Sequence, residues 1–211
     1  MPRQRAKVDL AGVLSALDDG QVHDDLEQRV LDAAEDLLRS SGLRRWSIED
    51  VADRAGVGRT SVYRRFSNRD DLVHAVLARE LRSTLTAIGR AAAEAPTLED
   101  KAVAATRTAL AALDGSVVDA LLRSDPATFL PFLTTEAGPL LAIARTAIAA
   151  QVAAIAPALP LELADVAARL GLSFVLTRDT ALPLDDPDAL DAAIRRMVRP
   201  VLLAFAATTD A

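Results

Sequence analysis

Seven arginines fall within residues 40–69: Arg44, Arg45, Arg54, Arg59, Arg64, Arg65 and Arg69. Only three acids, Glu49, Asp50 and Asp53, share that window, which carries +4 while the whole chain carries −6. The remainder is therefore −10. A local basic patch on an acidic body suits a chain that touches a polyanion with one end only. Hydroxyl, phenol and amide groups stand between the arginines, at Ser47, Thr60, Ser61, Tyr63 and Asn68. Such groups donate to phosphate oxygens and base edges, and an arginine fork matches the major-groove edge of guanine.

These residues need a scaffold, and the surrounding sequence supplies start and stop signals for one. A first helix is expected from about Asp25 to Ser40. Asp25 with Gln28 forms a capping box, and Leu26, Val30, Ala33, Ala34, Leu37 and Leu38 recur at helical spacing. Gly42 stops it. Ser47-x-x-Asp50 opens a second helix, with Trp46 and Val51 as a hydrophobic staple and Ile48, Val51, Ala52 and Ala55 facing inward. Gly56 ends that helix. The turn Gly56-Val57-Gly58-Arg59 leads into a third helix, capped at Gly58 and ending near Phe66. Ser67-x-x-Asp70 then opens a long helix through Leu72, Val76, Leu81, Leu85 and Ile88. Two short helices joined by a glycine turn make a helix-turn-helix, whose second helix enters the major groove.

The run from Ser47 to Leu72, read with the helix before it, resembles the DNA-binding signature of TetR-family regulators. Ser47-x-x-x-Val51-Ala52, Ala55-Gly56-Val57 and Tyr63-x-x-Phe66 hold together at once, within a match over about 25–80. Two residues depart from the usual pattern. Gly58 stands where a serine or threonine cap is common, at a cost of a few tenths of a kcal/mol. Arg69 stands where a phosphate-gripping lysine is common, and keeps the charge. The resemblance implies that Arg59, Thr60 and Ser61 face bases or phosphates and that Tyr63 reaches a phosphate or thymine methyl. It assigns Arg64 and Arg65 to phosphate or guanine. Ser47, Asn68 and Arg69 would hold phosphate at helix N-termini, with Arg44 and Arg45 just before the first of these ends.

The rest of the 211 residues is expected to be helical as well. Alanine is abundant and aromatics are only 3%. Helices are read at about 98–113, 117–123, 126–133, 137–155, 161–178 and 188–207, punctuated by Asp114-Gly115, Asp125-Pro126, Gly138-Pro139 and Asp185-Asp186-Pro187. The expected fold is all-α, an N-terminal three-helix helix-turn-helix domain followed by a helical ligand-binding and dimerisation domain. The boundaries are an extension at 1–23, open between a disordered tail and a short helix over Val8–Leu17; the DNA-binding domain at 24–70; a linking helix at 71–90; and the helical domain at 91–211. Arg3, Arg5 and Lys7 in the extension leave open a solubilising tail or an arm in the minor groove.

By the same resemblance the chain is a homodimer through 161–178 and 188–207. Leu163, Val166, Leu170, Phe174, Ile194, Val198, Val201, Leu202 and Phe205 supply apolar faces shared with the intrachain core. Two recognition helices would then read a palindromic operator in double-stranded DNA. Phe129, Phe132, Leu133, Leu140, Phe174 and Thr177 are the candidate lining of a pocket for a small hydrophobic effector, with Arg145 or Arg178 for a carboxylate. The alternative is a small-molecule-binding helical protein of the same fold without specific DNA binding.

Other classes are disfavoured. There are no cysteines, which removes disulfides and thiolate chemistry. No nucleophile–base set, metal cluster or phosphate loop is readable, so no cofactor, no metal and no catalysis are expected. The acidic pairs sit mostly at helix starts, where they cap. His23 and His74 are read as surface or packing residues, and Arg54 as a partner of Glu49 or Asp50. With neither a leader nor an apolar span in view, the expected location is the cytoplasm, off the membrane.

Overall fold

Helix starts are written by short polar side chains, and the architecture follows from them. In a computed structural model, which describes residues 8–18, 24–43, 46–153, 161–177 and 179–209, every described element is a helix. By contact the chain divides into two units: one comprises residues up to Ser83 together with Gly115–Ala137, the other Thr84–Asp114 together with Gly138–Ala211.

The first unit holds the arginine-rich segment. Helix α1 (Leu10–Asp18) precedes α2 (Asp25–Ser41). Residues 1–7 and 19–23 of the expected extension lie outside the described residues, whereas 10–18 are helical. The cap of α2 is Asp24, one residue before the expected Asp25: its side chain accepts from the Glu27 amide at 2.8 Å. Gly42 ends α2 at φ +63°, and a Cβ there would meet the Ser124 hydroxyl at 2.4 Å. Both its conformation and its packing therefore call for glycine.

Helix α3 (Ile48–Ala55) opens with the expected capping box of Ser47 and Asp50 and closes at Gly56, φ +65°. Helix α4 (Arg59–Tyr63) follows, with Gly58 as a cap that makes no side-chain hydrogen bond. The long α5 (Arg69–Glu94) starts one residue later than Ser67-x-x-Asp70 implies. Asn68, not Ser67, accepts from the backbone, taking the Asp71 amide at 2.9 Å. It also runs past Ile88, because Arg90 to Glu94 are good helix formers and the stop is Ala95-Pro96.

The core of this unit is Val30, Leu31, Ala34, Leu38, Leu43, Trp46, Val51, Val62, Phe66, Leu72, Val73 and Val76, all buried. Helices α7 (Val117–Ser124) and α8 (Pro126–Leu133) complete it, α7 packing on α2 with Val117 and Leu121 buried. Residues 115–137, placed by the sequence reading in the ligand-binding part, thus pack with the arginine-rich unit. Ser116 caps α7 through the Asp119 amide at 3.0 Å, and Glu80 of α5 accepts from the Val117 amide at 2.9 Å.

The second unit contains the end of α5, α6 (Leu98–Leu113), α9 (Gly138–Ala153), α10 (Leu161–Leu176) and α11 (Pro187–Thr209). Helices α9 and α10 pack together, as do α6 and α11. Val103, Leu190 and Ile194 form a small buried cluster with Leu110, Leu182 and Val198 against it. Beside it, Glu99 pairs with Arg199 at 3.0 Å and Asp100 with Arg195 at 2.7 Å. Among the described residues no single helix is long and apolar enough to cross a membrane.

Candidate nucleic-acid interface

Helix α4 is held from beneath by Val62, which is fully buried, and by Phe66 just after it. This leaves Arg59, Thr60, Tyr63 and Arg64 exposed on the opposite side, with Ser61 and Arg65 half-buried. The turn before it is fixed by Gly56, whose amide donates back to α3, and by the Val57 amide, which donates to the Ala52 carbonyl at 3.0 Å. The sequence therefore builds a short helix with one buried anchor and a polar outer row.

Arg59 has company. Its guanidinium pairs with Glu49 of α3 at 2.6 Å and lies 5.2 Å above the centre of the Tyr63 ring, whose hydroxyl is 3.4 Å from Nη2. The Tyr63 hydroxyl and, after it, the Glu49 carboxylate favour the charged guanidinium and raise its pKa. Glu49 is held below the ordinary carboxylate range, first by its own backbone amide and then by Arg59, against partial desolvation. Glu49 thus tethers the first arginine of α4, a role the sequence reading did not assign. The sequence reading paired Arg54 with Glu49 or Asp50. Arg54 instead bonds Asp36 of α2 at 2.9 Å, 18 residues away along the chain.

Beside α4 lies a groove of about 280 Å³ lined by Trp46, Ser47, Ile48, Glu49, Tyr63, Ser67, Asn68 and Arg69. It brings together the starts of α3 and α5, where backbone amides and the positive ends of two helix dipoles converge. Ser47 and Asn68 already serve as caps there. Arg69 stacks 4.1 Å over the Trp46 ring and donates to the Leu43 carbonyl. Trp46 is buried, its indole N–H bonded to the Gly42 carbonyl at 2.9 Å, as befits a staple. Arg65 is bonded to Asp24, the α2 cap. The Glu27 amide and then Arg65 hold the Asp24 carboxyl below its ordinary pKa. Arg44 and Arg45 lie outside the described residues.

The residues expected to line a pocket fall in different units. Phe129 and Leu133 are buried in the first unit, where Phe129 meets Phe132 edge-on with ring centres 5.9 Å apart. Leu140, Arg145, Phe174 and Thr177 belong to the second. Arg145 lies 3.4 Å from Asp165, Thr177 is exposed, and Arg178 is outside the described residues. The second unit contains a cavity of about 390 Å³ between α6, α10 and the start of α11, lined by Leu110, Leu113, Phe174, Leu184, Leu190 and, at its polar part, Arg107 and Asp114. Phe174 alone is common to this lining and the expected one. The sequence showed apolar faces on every helix here, and no local signal marked which of them left a space.

A bracing helix, a glycine turn and a second helix with a polar outer row are the parts of a helix-turn-helix, in an all-α chain with a second helical unit. Residues 30–76 match the family described as "Bacterial regulatory proteins, tetR family". This segment is similar to the DNA-binding domain of that family of transcriptional regulators. Two solved structures share the fold. One is the TetR family repressor AlkX from Dietzia sp. strain DQ12-45-1b, implicated in biodegradation of n-alkanes: 24% identity, TM-score 0.60, 84% of this chain and 97% of that one. The other is the fatty acid degradation regulator FadR from Bacillus halodurans: 16% identity, TM-score 0.54, 84% of this chain and 96% of that one. No curated protein sequence matches the chain.

Proposed function

We propose that this chain is a homodimeric repressor that binds a palindromic operator through α4 and is released by a small, largely apolar effector. The observation that carries the reading is the exposed row Arg59, Thr60, Tyr63 and Arg64 beside a groove at two helix starts. Such a surface can dock a recognition helix in the major groove while amides and Arg69 take the flanking phosphates. Arg65 acts mainly as a clamp on α2 in this reading, since Asp24 occupies it.

Dimerisation is supported by large apolar side chains left outward on the last two helices. Val166 and Leu170 of α10 are 50% and 60% exposed, and Met197 of α11 is 54% exposed. Ile194, by contrast, is spent in the intrachain cluster. The effector reading rests on the 390 Å³ cavity, a size suited to a small molecule, with apolar walls and the Arg107 guanidinium for a carboxylate or other anion. The two structural relatives are described by alkane and fatty acid degradation, which accords with an aliphatic effector class. Helix α5 is continuous from Arg69 to Glu94 and belongs to both units. Effector binding would act by favouring a dimer whose two α4 helices no longer match the half-site spacing.

The test is selection of bound fragments from the source genome with purified protein. Anisotropy then follows on the winner, with wild type, Arg64→Ala and Tyr63→Ala. One enriched palindrome, lost in both variants, is the expected result. Absence of enrichment, or binding indifferent to the variants, would overturn the reading.

A further inference from the structure

Acids on neighbouring elements hold several arginines of the first unit. Arg54 bonds Asp36 of α2 at 2.9 Å, and Arg65 bonds Asp24, the cap of α2. Both acids belong to the supporting helix. Glu49 differs in its place. It lines the groove of about 280 Å³ beside α4, together with Tyr63, Asn68 and Arg69. The DNA-binding reading puts a phosphate near this groove, and a carboxylate repels phosphate. The positive end of the α3 dipole accounts for an acid in the first turn. It does not account for the reach across to α4. The neighbouring Asp50 turns back to its own helix start and accepts from the Ser47 amide at 2.7 Å. Glu49 turns outward instead and meets Arg59 at 2.6 Å.

Arg59 is held from two sides. Glu49 meets Nη1, while the Tyr63 ring, one turn along α4, has its centre 5.2 Å from the guanidinium and its hydroxyl 3.4 Å from Nη2. A long side chain has thus given up rotamer freedom before DNA arrives, so a contact it then makes costs less. The pairing also changes what the guanidinium offers. It keeps N–H donors open among the described residues, while the ion pair as a whole carries no net charge. Phosphate is held chiefly by charge, whereas N7 and O6 of guanine are neutral acceptors that require placed donors. An arginine paired in this way is suited to a base edge and ill suited to bare phosphate. Both partners are half exposed, and such a pair is worth no more than about fivefold in an equilibrium. A well-placed base contact can therefore still draw on Arg59.

We infer that Glu49 is a specificity-determining positioning residue, which holds Arg59 for a base edge and away from phosphate. This rests on the DNA-binding reading above. The test uses the full chain, the selected fragment and an unrelated duplex of equal length. Wild type, Glu49→Ala, Arg59→Ala, the double variant and Arg64→Ala are compared by anisotropy between about 50 and 200 mM salt. The readouts are the ratio of the two affinities and the salt slope; a purely structural loss would weaken both duplexes alike. Glu49→Ala is expected to bind the unrelated duplex more tightly, with a slope steeper by about 1 per protomer, and to lower the ratio at least about fivefold. In the Arg59→Ala background the same substitution should leave the ratio unchanged, because loss of a carboxylate alone favours both duplexes equally. If wild type is selective and Arg64→Ala binds poorly, an unchanged ratio in Glu49→Ala overturns the positioning role while leaving the DNA reading intact. A ratio that falls as far in the Arg59→Ala background also overturns it, since Glu49 would then touch a base itself. If wild type binds no fragment, or Arg64→Ala binds as wild type does, the DNA reading itself fails.

Discussion

Around α4 the apolar side chains are inside and the polar ones outside: Val51 and Val62 are fully buried, while Arg59, Thr60 and Arg64 face solvent. On α10 and α11 much of this is reversed. Leu170 and Met197 point outward, and several of the buried residues are small, such as Ala164, Ala168 and Ala193. The first arrangement makes a rigid, charged surface for a polyanion. The second leaves apolar area that is stabilised only when another surface covers it. The two ends of the chain are therefore built for partners of opposite chemistry, and substitutions should separate them.

The largest expected effect is on folding, at the recognition end. Trp46→Ala removes a buried side chain, its bond to Gly42 and the platform under Arg69. A loss of about 3–5 kcal/mol is expected by denaturant unfolding. Leu170→Ala on α10 should change monomer stability by less than about 0.5 kcal/mol, as for a surface site. A Leu170→Ala protein as unstable as Trp46→Ala would break the contrast between the two ends.

Next in size is recognition itself. Arg64→Ala should weaken operator binding by about 1–3 kcal/mol with little change in melting temperature, because Arg64 is exposed and contributes little to the fold. Leu170→Glu should act from the other end. If the chain dimerises through α10 and α11 as proposed, this variant should be monomeric in sedimentation at micromolar concentration and weaken operator binding by at least tenfold, with each α4 unaltered. Operator binding that survives in a proven monomer would show that the two-headed reading is wrong.

A titration sharpens the same comparison within the first unit. Glu80 accepts the Val117 amide, but its other oxygen is buried without a partner among the described residues. Burial is the main cause raising its pKa above the ordinary 4.5. A carboxyl with a raised folded pKa stabilises the fold below its unfolded value, and that contribution is lost as pH rises through the folded one. Glu80→Gln keeps the acceptor for Val117 and removes the charge. It should therefore match wild type in acid and exceed it by up to about 1 kcal/mol at neutral pH, the size of a single hydrogen bond. A wild type that instead gains on the variant between pH 4.5 and 7 would show that burial does not govern this carboxyl.

The order of the helices and the helix-turn-helix were legible because their signals are local. Ser47 with Asp50, the positive-φ glycines at 42 and 56, and Ala95-Pro96 act within one turn of the residues they govern. What was not legible involves partners far apart along the chain. Arg65 and Asp24 are 41 residues apart, Glu80 and Val117 are 37, and α7 packs on α2 across most of the first unit. Caps slipped by one residue at Asp24 and Asn68 because neighbouring polar residues were equally able to cap. Of the exposed polar row at α4, Arg59, Thr60, Tyr63 and Arg64 were readable from spacing. The tether at Glu49 was not, since an acid on a short helix looks the same whichever arginine it meets.

The smallest effect concerns the two glycines of the turn, which the sequence presents as alike and the backbone does not. Gly56 sits at φ +65°, where a side chain is strained, and Gly56→Ala should cost about 1 kcal/mol although nothing lies within 4 Å to clash. Gly58 sits at φ −69°, ψ 139°, which any residue adopts, and caps α4 without a side-chain bond. Gly58→Ser should instead stabilise by a few tenths of a kcal/mol, by restricting the unfolded chain and capping an open amide of α4. The added hydroxyl also stands at the start of the recognition helix. A gain in operator affinity larger than the gain in stability would show that it reaches phosphate, and that the glycine is what keeps this site from binding more tightly.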